Sequence, residues 1–239
     1  MIDYHDIAAV LFDLDGTLIE HTRPLDDLCR ETFEAFGDKL APLTPARFWE
    51  AFWPRNHDLW YMMVDGVLPG DAARLYSFVN TLRSVQGDVG LAKAMLEDWE
   101  LRIVDATRLF ADALPTMERM RGADLCLGIV TNGFATVQRR KIRRHCLEEQ
   151  VDFIIISEEM GVFKPEQAIF EAALTQAGVV AGQALFVGDT PVSDIQGARD
   201  AGLHAVLMDP RATWAETELD GVPRLERLEE LLSLLGLNG

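Results

Sequence analysis

The sequence is poor in cysteine and has no long apolar run. Its three cysteines, Cys29, Cys126 and Cys146, are widely separated among 239 residues, and their spacing matches neither a zinc motif nor a CxxC pair. Such a set is typical of reduced thiols, so no disulfide framework is expected. No stretch approaches the length of a membrane-spanning helix, and the acidic N-terminus lacks the basic start of a signal peptide. We therefore expect a cytoplasmic protein with no membrane partner.

Positive charge is also scarce. The chain has 22 Lys and Arg against 39 Asp and Glu, for a net charge of −17. An acidic surface repels nucleic acid, so none is expected as a partner, and the basic run at residues 139–144 is interpreted as a solvated helix face. The same charge repels small anions. A site for an anion would therefore need local positive charge from a metal, a lysine or helix N-termini.

The chain does contain short apolar runs that alternate with helical patterns, and it has no internal repeat. Buried strands are predicted at Ile7–Phe12, Leu125–Val130, Phe153–Ile156 and Ala184–Val187, with an edge strand at Ala205–Met208. Helices are predicted at Leu114–Arg121, Thr136–His145, Gln167–Ala177, Ser193–Ala201 and, at the end of the chain, Leu225–Leu235. Strands that alternate with helices indicate an α/β fold with a doubly wound, Rossmann-like parallel sheet.

One interval is too long for this pattern. A βαβ unit takes roughly thirty residues, whereas the strands before Asp13 and Thr131 are separated by more than a hundred. We therefore expect a core domain from residues 1–19 and 106–239, with an inserted helical subdomain at residues 20–105. Because ligands of open parallel sheets bind at the carboxyl ends of the strands, where this insertion leaves the core, it is expected to act as a lid.

The insertion carries a cluster of aromatic and methionine side chains. Its members are Trp49, Phe52, Trp53, Trp60, Tyr61, Met62 and Met63. Packing among the inserted helices is the favoured interpretation. The alternative is a pocket for the leaving group of a substrate, in which a flat ring could stack on a base.

Polar residues follow the predicted strands or precede helices. They are Asp13, Asp15, Thr131, Asn132, Gly133, Lys164, Asp189 and Asp194. In a doubly wound sheet these positions converge on one crevice. Taken singly, Thr131 could be a helix cap and Asp194 an ordinary residue of an early helical turn.

Several carboxylates in one crevice need a cation. At about 4 Å each pair costs on the order of 4 kcal/mol at an effective dielectric near 20, and oxygen ligands favour Mg²⁺. Lys164 adds a second positive charge. An aspartate ionised against the metal can attack phosphorus, and the other aspartate of the DLD sequence can protonate the leaving oxygen.

Four short motifs stand in order along the chain. They are DLDGT at 13–17, TNG at 131–133, KP at 164–165 and GDTPVSD at 188–194. With these motifs the chain resembles the haloacid dehalogenase (HAD) superfamily of phosphohydrolases, and the long insertion resembles the helical C1-type cap of that family. The region after Lys164 reads KPEQAIF where relatives often have KPxPxIF, a difference expected to alter only the entry to a helix.

The resemblance implies a role for each motif residue. Asp13 would be the nucleophile and a magnesium ligand. Asp15 would be the general acid and base, with its backbone carbonyl on the metal. Lys164 would neutralise the nucleophile and the phosphoryl group. Dehalogenases of the family lack the second aspartate of the first motif, so Asp15 favours phosphoryl transfer.

The remaining motif residues would bind the phosphoryl group or the metal. Thr131 and the backbone N–H groups of Asn132 and Gly133 would hold phosphoryl oxygens. Asp189 would bind Mg²⁺ directly, and Asp194 would bind it directly or through water.

The segments TNGFATVQRRKIRR and ISEEMGVFKPEQAIF resemble the pyrimidine 5′-nucleotidase branch. The prediction is a magnesium-dependent phosphatase acting on a small phosphorylated metabolite, a nucleoside 5′-monophosphate, through an aspartyl-phosphate. The alternatives are a sugar-phosphate or phosphoglycolate phosphatase, a phosphomutase like β-phosphoglucomutase, and a catalytically idle protein that binds a phosphorylated ligand. The oligomeric state, monomer or homodimer, stays open.

Overall fold

A computed structural model describes Tyr4, residues 6–214 and residues 221–237. The chain separates into two compact units. The first, called the sheet unit, comprises the described residues up to Glu20 and those from Arg108 onward. The second, called the helical unit, is His21–Thr107.

The sheet unit is built on six parallel strands in the order β5-β4-β1-β6-β7-β8. A separate sheet pairs β2 with β3. The strands are β1 (Ala9–Phe12), β2 (Ile19–His21), β3 (Thr107–Leu109), β4 (Cys126–Thr131), β5 (Phe153–Ile156), β6 (Ala184–Gly188), β7 (His204–Met208) and β8 (Arg224–Leu225). The predicted α/β fold with a doubly wound parallel sheet is confirmed.

Eleven α-helices lie within the described residues. The first five belong to the helical unit: α1 (Leu25–Ala35), α2 (Gly37–Leu40), α3 (Pro45–Val64), α4 (Gly70–Ser84) and α5 (Ala92–Asp105). The others belong to the sheet unit: α6 (Ala113–Gly122), α7 (Ala135–Arg144), α8 (Ser157–Met160), α9 (Gln167–Ala177), α10 (Gly197–Asp200) and α11 (Glu230–Leu234). A wider helical turn at Pro191–Gln196 precedes α10. Three-residue 3₁₀ turns occur at Val89–Leu91, Leu147–Glu149 and Ala181–Gln183.

Helices cover both faces of the six-stranded sheet. Successive side chains of a strand point to opposite faces, so one strand contributes to both clusters. Val10 and Phe12 of β1 pack into a cluster with Met117 of α6 and Leu231 of α11. Leu11, between them, packs on the other face in a cluster that includes residues of α9 and α10. The central strands are therefore apolar throughout, which explains why the strand before Asp13 reads as a continuous apolar run.

The helical unit has its own core, which is rich in aromatic side chains. Phe48 and Phe52 of α3, Phe78 of α4 and Trp99 of α5 are buried together. The ring of Phe52 lies 4.8 Å from that of Phe78 and 5.5 Å from that of Trp99, measured between centroids.

The aromatic and methionine cluster on α3 divides into two faces. Phe52 and Met63 are buried, in agreement with the packing interpretation. Trp53, Tyr61 and Met62 are exposed, so they do not belong to the core of the helical unit. The prediction of core packing is therefore right for only part of the cluster.

Two predictions at the end of the chain are wrong. Ala205–Met208 is not an edge strand, because β8 pairs with β7 on its outer side. The helix expected at Leu225–Leu235 is confined to Glu230–Leu234, since the chain before it hydrogen-bonds to β7, with the N–H of Leu207 donating to the carbonyl of Pro223 at 2.9 Å. The leucines at helical spacing are nevertheless buried, so the spacing identified the inward face without fixing the conformation.

No helix among the described residues is both long and apolar enough to span a membrane.

Candidate active site

Asp13 stands directly after the central strand β1, with its backbone N–H bonded to the carbonyl of Val187 in β6. Its side chain is 11% exposed. Burial raises the pKa of Asp13 to about 7, an effect that Lys164 opposes and that Asp194 and Asp189 reinforce. The strand order therefore places a carboxylate at the middle of the sheet, where its negative charge is disfavoured until a cation compensates it.

Lys164 supplies part of that compensation. Its Nζ lies 2.7 Å from Oδ1 of Asp13 and 2.8 Å from Oδ1 of Asp194, and its side chain is 2% exposed. Burial disfavours the ammonium charge, but Asp13 and Asp194 outweigh this and raise the pKa of Lys164. The lysine is therefore held as a cation between two carboxylates.

Asp189 and Asp194 come from the segment after β6. Thr190 donates its backbone N–H to Oδ2 of Asp194 at 2.9 Å and its hydroxyl to Oδ1 of Asp189 at 3.1 Å. Burial and the neighbouring Asp194 raise the pKa of Asp189 to about 6. The widened helical turn at Pro191–Gln196 carries Asp194 back towards the strand end, where it is 1% exposed.

Three of these carboxylates form a group that can hold a metal ion. Ligand oxygens of Asp13, Asp189 and Asp194 all lie within 4.8 Å of one another. One lysine cannot neutralise three carboxylates, and oxygen donors at this spacing suit a hard divalent cation. The donor set therefore fits a metal site.

Gly16 is the glycine that this arrangement requires. It has φ +78°, and a Cβ there would overlap the carboxylate of Asp189. The left-handed backbone and the close approach of Asp189 each favour glycine. This accounts for the Gly in DLDGT from local structure.

The TNG loop is tied to the segment that carries Lys164. The amide of Asn132 donates from Nδ2 to the carbonyl of Lys164 and accepts from its backbone N–H at Oδ1, both at 2.9 Å. Gly133 donates its N–H to the hydroxyl of the buried Ser157 at 3.1 Å. Thr131 ends β4 and is 1% exposed.

Asp15 is held by two residues that the sequence analysis did not assign to the site. Nζ of Lys141 donates to both carboxylate oxygens, at 2.8 and 2.9 Å. Nε2 of Gln138 donates to Oδ2 of Asp15 at 2.9 Å and to Oγ1 of Thr131 at 2.8 Å.

The interpretation of residues 139–144 as a solvated face is therefore wrong for Lys141, which is 5% exposed. Gln138 and Lys141 are one turn apart on α7 and lie on its buried face with Val137 and Ile142. The spacing of apolar positions on α7 was the signal that could have identified them.

A further hydrogen bond holds the backbone of Asp189. Nε1 of Trp214 donates to the backbone carbonyl of Asp189 at 2.9 Å. Asp209, which is buried, accepts the backbone N–H groups of Thr213 and Trp214 at 2.8 and 3.3 Å. These residues lie outside the four motifs, so the sequence did not predict them.

The comparisons with known proteins agree with this architecture. The sequence profile of the haloacid dehalogenase-like hydrolases matches residues 7–202. The chain is 35% identical to a glyceraldehyde 3-phosphate phosphatase of Methanopyrus kandleri, over 96% of this chain and 97% of that protein. It is 44% identical to the pyrimidine 5′-nucleotidase YjjG of Escherichia coli, over 50% of this chain and 55% of that protein.

The fold matches as well. A 2-haloacid dehalogenase of Pseudomonas syringae superposes with a TM-score of 0.73 at 26% identity, over 96% of this chain and 98% of that one. The chain belongs to the haloacid dehalogenase-like hydrolase family, and its phosphatase relatives make it a phosphatase of that family with a small phosphorylated substrate.

Proposed function

We propose that the protein is a magnesium-dependent phosphatase that hydrolyses a small phosphomonoester through an aspartyl-phosphate on Asp13. The observation that carries the proposal is the buried triad in which Nζ of Lys164 contacts both Asp13 and Asp194 at 2.7 and 2.8 Å. Asp189 adds a third carboxylate within 4.8 Å. This combines a nucleophile, a fixed cation and the ligands of a metal at the carboxyl ends of the neighbouring strands β1 and β6.

Asp13, Asp189 and Asp194 would hold the metal, with the backbone carbonyl of Asp15 as a further ligand implied by the family resemblance. Bound Mg²⁺ would supply positive charge for the phosphoryl oxygens. The ammonium of Lys164, fixed against Asp13, stabilises the negative charge that develops on the phosphoryl group. This local positive charge would offset the repulsion between an anionic substrate and a chain of net charge −17.

The reaction has two steps at phosphorus. In the first, an oxygen of Asp13 forms a bond to phosphorus, the bond to the leaving oxygen breaks, and Asp15 gives its proton to that oxygen. In the second, water attacks the phosphorus, gives a proton to Asp15, and releases phosphate as the Asp13–phosphorus bond breaks.

The TNG loop is proposed to bind the transferred phosphoryl group. Oγ1 of Thr131 accepts a hydrogen bond from Gln138 at 2.8 Å, and its hydroxyl donates to the carbonyl of Asn132 over 3.4 Å, a long bond that a phosphoryl oxygen would replace. The amide of Asn132 is engaged with Lys164, which keeps the loop against the lysine that faces the nucleophile. Loop and lysine would then act on the same phosphoryl group.

For the substrate we propose a nucleoside 5′-monophosphate. The 44% identity to a pyrimidine 5′-nucleotidase supports this, but it extends over half of the chain. A phosphorylated three-carbon sugar is the second candidate, favoured by the 35% identity to a glyceraldehyde 3-phosphate phosphatase over nearly the whole chain. The helical unit, as the proposed cap, would choose between these leaving groups.

A phosphate-release screen with Mg²⁺ distinguishes the two substrates. We expect the highest kcat/KM on pyrimidine nucleoside monophosphates. A preference for glyceraldehyde 3-phosphate, or equal rates for all bases, would contradict the nucleotide assignment and leave the phosphatase assignment intact. A mutase would be recognised by an isomerised phosphate ester with little free phosphate.

Asp13→Asn tests the aspartyl-phosphate itself. We expect turnover to fall by at least about a thousandfold, because the amide cannot serve as the nucleophile, while the melting temperature stays at or above that of the wild type. Stability should not suffer, since the substitution removes a buried charge that is disfavoured without a metal. Activity that survives Asp13→Asn would rule out the mechanism.

A further inference from the structure

Lys141 and Gln138 bind Asp15 in a way that neither the motifs nor the family comparison assigns. The side chain of Lys141 is 6% exposed, and that of Asp15 is 30% exposed. The contacts of Lys141 to the two carboxylate oxygens, at 2.8 and 2.9 Å, fix the position of the carboxylate, and the bond from Gln138 to Oδ2 at 2.9 Å limits rotation of its plane. The pair spans 126 positions of sequence and joins α7 to the loop after β1.

Gln138 links this ion pair to the loop proposed to bind phosphate. Its amide nitrogen has two protons, and the two shortest contacts lead to Oγ1 of Thr131 at 2.8 Å and Oδ2 of Asp15 at 2.9 Å. A carboxylate and a hydroxyl that serve the same phosphoryl group are thereby held at a fixed separation. Gln138 is 2% exposed, so water does not readily compete for these bonds.

The geometry also indicates which half of the reaction the pair serves. Both oxygens of Asp15 accept hydrogen bonds from Lys141, and Oδ2 accepts a further one from Gln138, so these contacts hold the carboxylate as an acceptor. In a two-step hydrolysis the second step uses Asp15 as the acceptor of a proton from the attacking water, whereas the first step uses it as a donor. The arrangement therefore matches the second step.

We propose that Lys141 and Gln138 are positioning residues that orient the Asp15 carboxylate towards the water that hydrolyses the aspartyl-phosphate. This inference rests on the proposed function. In the step that they assist, the water oxygen bonds to phosphorus, one water proton passes to Asp15, and the bond between Asp13 and phosphorus breaks. Lys141 and Gln138 neither gain nor lose a proton; they hold the acceptor in place.

The test is a rapid-mixing experiment on Lys141→Met with p-nitrophenyl phosphate and Mg²⁺. Nitrophenolate leaves without protonation, so its first release reports formation of the aspartyl-phosphate, and the later steady rate reports its hydrolysis. A misplaced general base slows the second step, and we expect the ratio of the burst rate constant to the steady-state rate constant to rise at least about tenfold. Rapid quenching should show a matching accumulation of phosphorylated protein.

Two further variants separate positioning from general damage. Arg143→Met removes one positive charge from the exposed side of the same helix, and its ratio should equal that of the wild type. Lys141→Arg keeps a cation that can contact both carboxylate oxygens, so it should recover most of the hydrolysis rate. A Lys141→Met protein that is merely less well folded would show a smaller burst and no change in the ratio.

Gln138→Leu gives an independent measurement should Lys141→Met fail to fold, since it removes both donors without removing a charge. A ratio in Gln138→Leu or folded Lys141→Met equal to that of Arg143→Met would overturn the proposal. Loss of the mechanism itself has a different signature, because turnover would then survive Asp13→Asn in otherwise wild-type protein.

Discussion

The two units of the chain differ in how they compensate buried carboxylates. In the helical unit the buried carboxylate of Glu100 pairs with Arg74 at 2.5 Å, and the buried hydroxyls of Ser77 and Thr81 donate to carbonyls of their own helix, at 3.0 and 2.6 Å. In the sheet unit three carboxylates lie within 4.8 Å of one another, Lys164 contacts two of them, and burial raises the pKa of both Asp13 and Asp189.

This difference indicates which unit contains groups that destabilise the folded protein. An excess of buried negative charge costs free energy unless a ligand compensates it, and such shifts are typical of functional sites. The aromatic core of the helical unit carries no comparable cost. A change in that core should therefore act on stability, whereas a change at the strand ends should act on activity and metal binding.

The largest effect on stability is expected from Phe52→Ala in the helical unit. Phe52 is fully buried and packs against Phe48, Phe78 and Trp99. Its truncation leaves a cavity, and we expect the free energy of unfolding to fall by about 3–5 kcal/mol, measured by urea denaturation.

Trp53→Ala is the matched control for that change. Trp53 is the next residue on α3, is 41% exposed and stacks on Trp49 at 5.1 Å. Its loss should cost about 1 kcal/mol or less. Equal losses from the two substitutions would show that the exposed face of α3 is packed as tightly as the core.

Gly16→Ala should produce the next largest effect, this time on activity. The new Cβ would overlap the carboxylate of Asp189, and φ +78° adds backbone strain. A displaced metal ligand should lower kcat/KM by about a hundredfold, or about 2.7 kcal/mol. Phosphate release at saturating Mg²⁺ is the measurement.

Gly178→Ala separates strain from displacement. Gly178 ends α9 with φ +69°, and a Cβ there meets no atom within 4 Å. It should lower the melting temperature, by an amount corresponding to about 1 kcal/mol, and leave kcat/KM unchanged. A comparable loss of activity in both variants would mean that strain alone, and not Asp189, explains the effect of Gly16→Ala.

The range over which a signal acts explains what could be predicted from the sequence. The strand before Asp13 and helix α9 were predictable because apolar runs and helical spacing are local signals. The short strand β8 was not, since two residues carry no periodicity and their pairing with β7 is a long-range contact.

The candidate site was likewise predictable only where its residues lie in local motifs. Residues such as Asp13 and Lys164 lie in recognisable motifs at the ends of elements. Lys141 was misread because its neighbours are basic, and composition does not indicate which side of a helix a lysine faces. The contact of Trp214 with Asp189 depends on the path of a loop, and no sequence pattern encodes it.

The smallest of these effects concerns pH and the metal. In the metal-free protein the pKa of Asp13 is about 7 and that of Asp189 about 6, both above the ordinary value of 3.8. An acid whose pKa is raised by folding stabilises the folded state below its ordinary pKa, and this contribution is lost as the pH rises through about 7. Stability of the metal-free protein should therefore fall between pH 4 and 7, about the range of the two values.

Mg²⁺ binds the ionised carboxylates, so it competes with protons at low pH and relieves repulsion at high pH. We expect Mg²⁺ to bind at least about tenfold more tightly at pH 8 than at pH 5, equivalent to about 1.4 kcal/mol, and to raise the melting temperature more at pH 8. Asp189→Asn should reduce this difference, since it removes one of the two titrating groups. If the Mg²⁺-induced increase in melting temperature is the same at both pH values, the carboxylates at the strand ends are not the metal ligands.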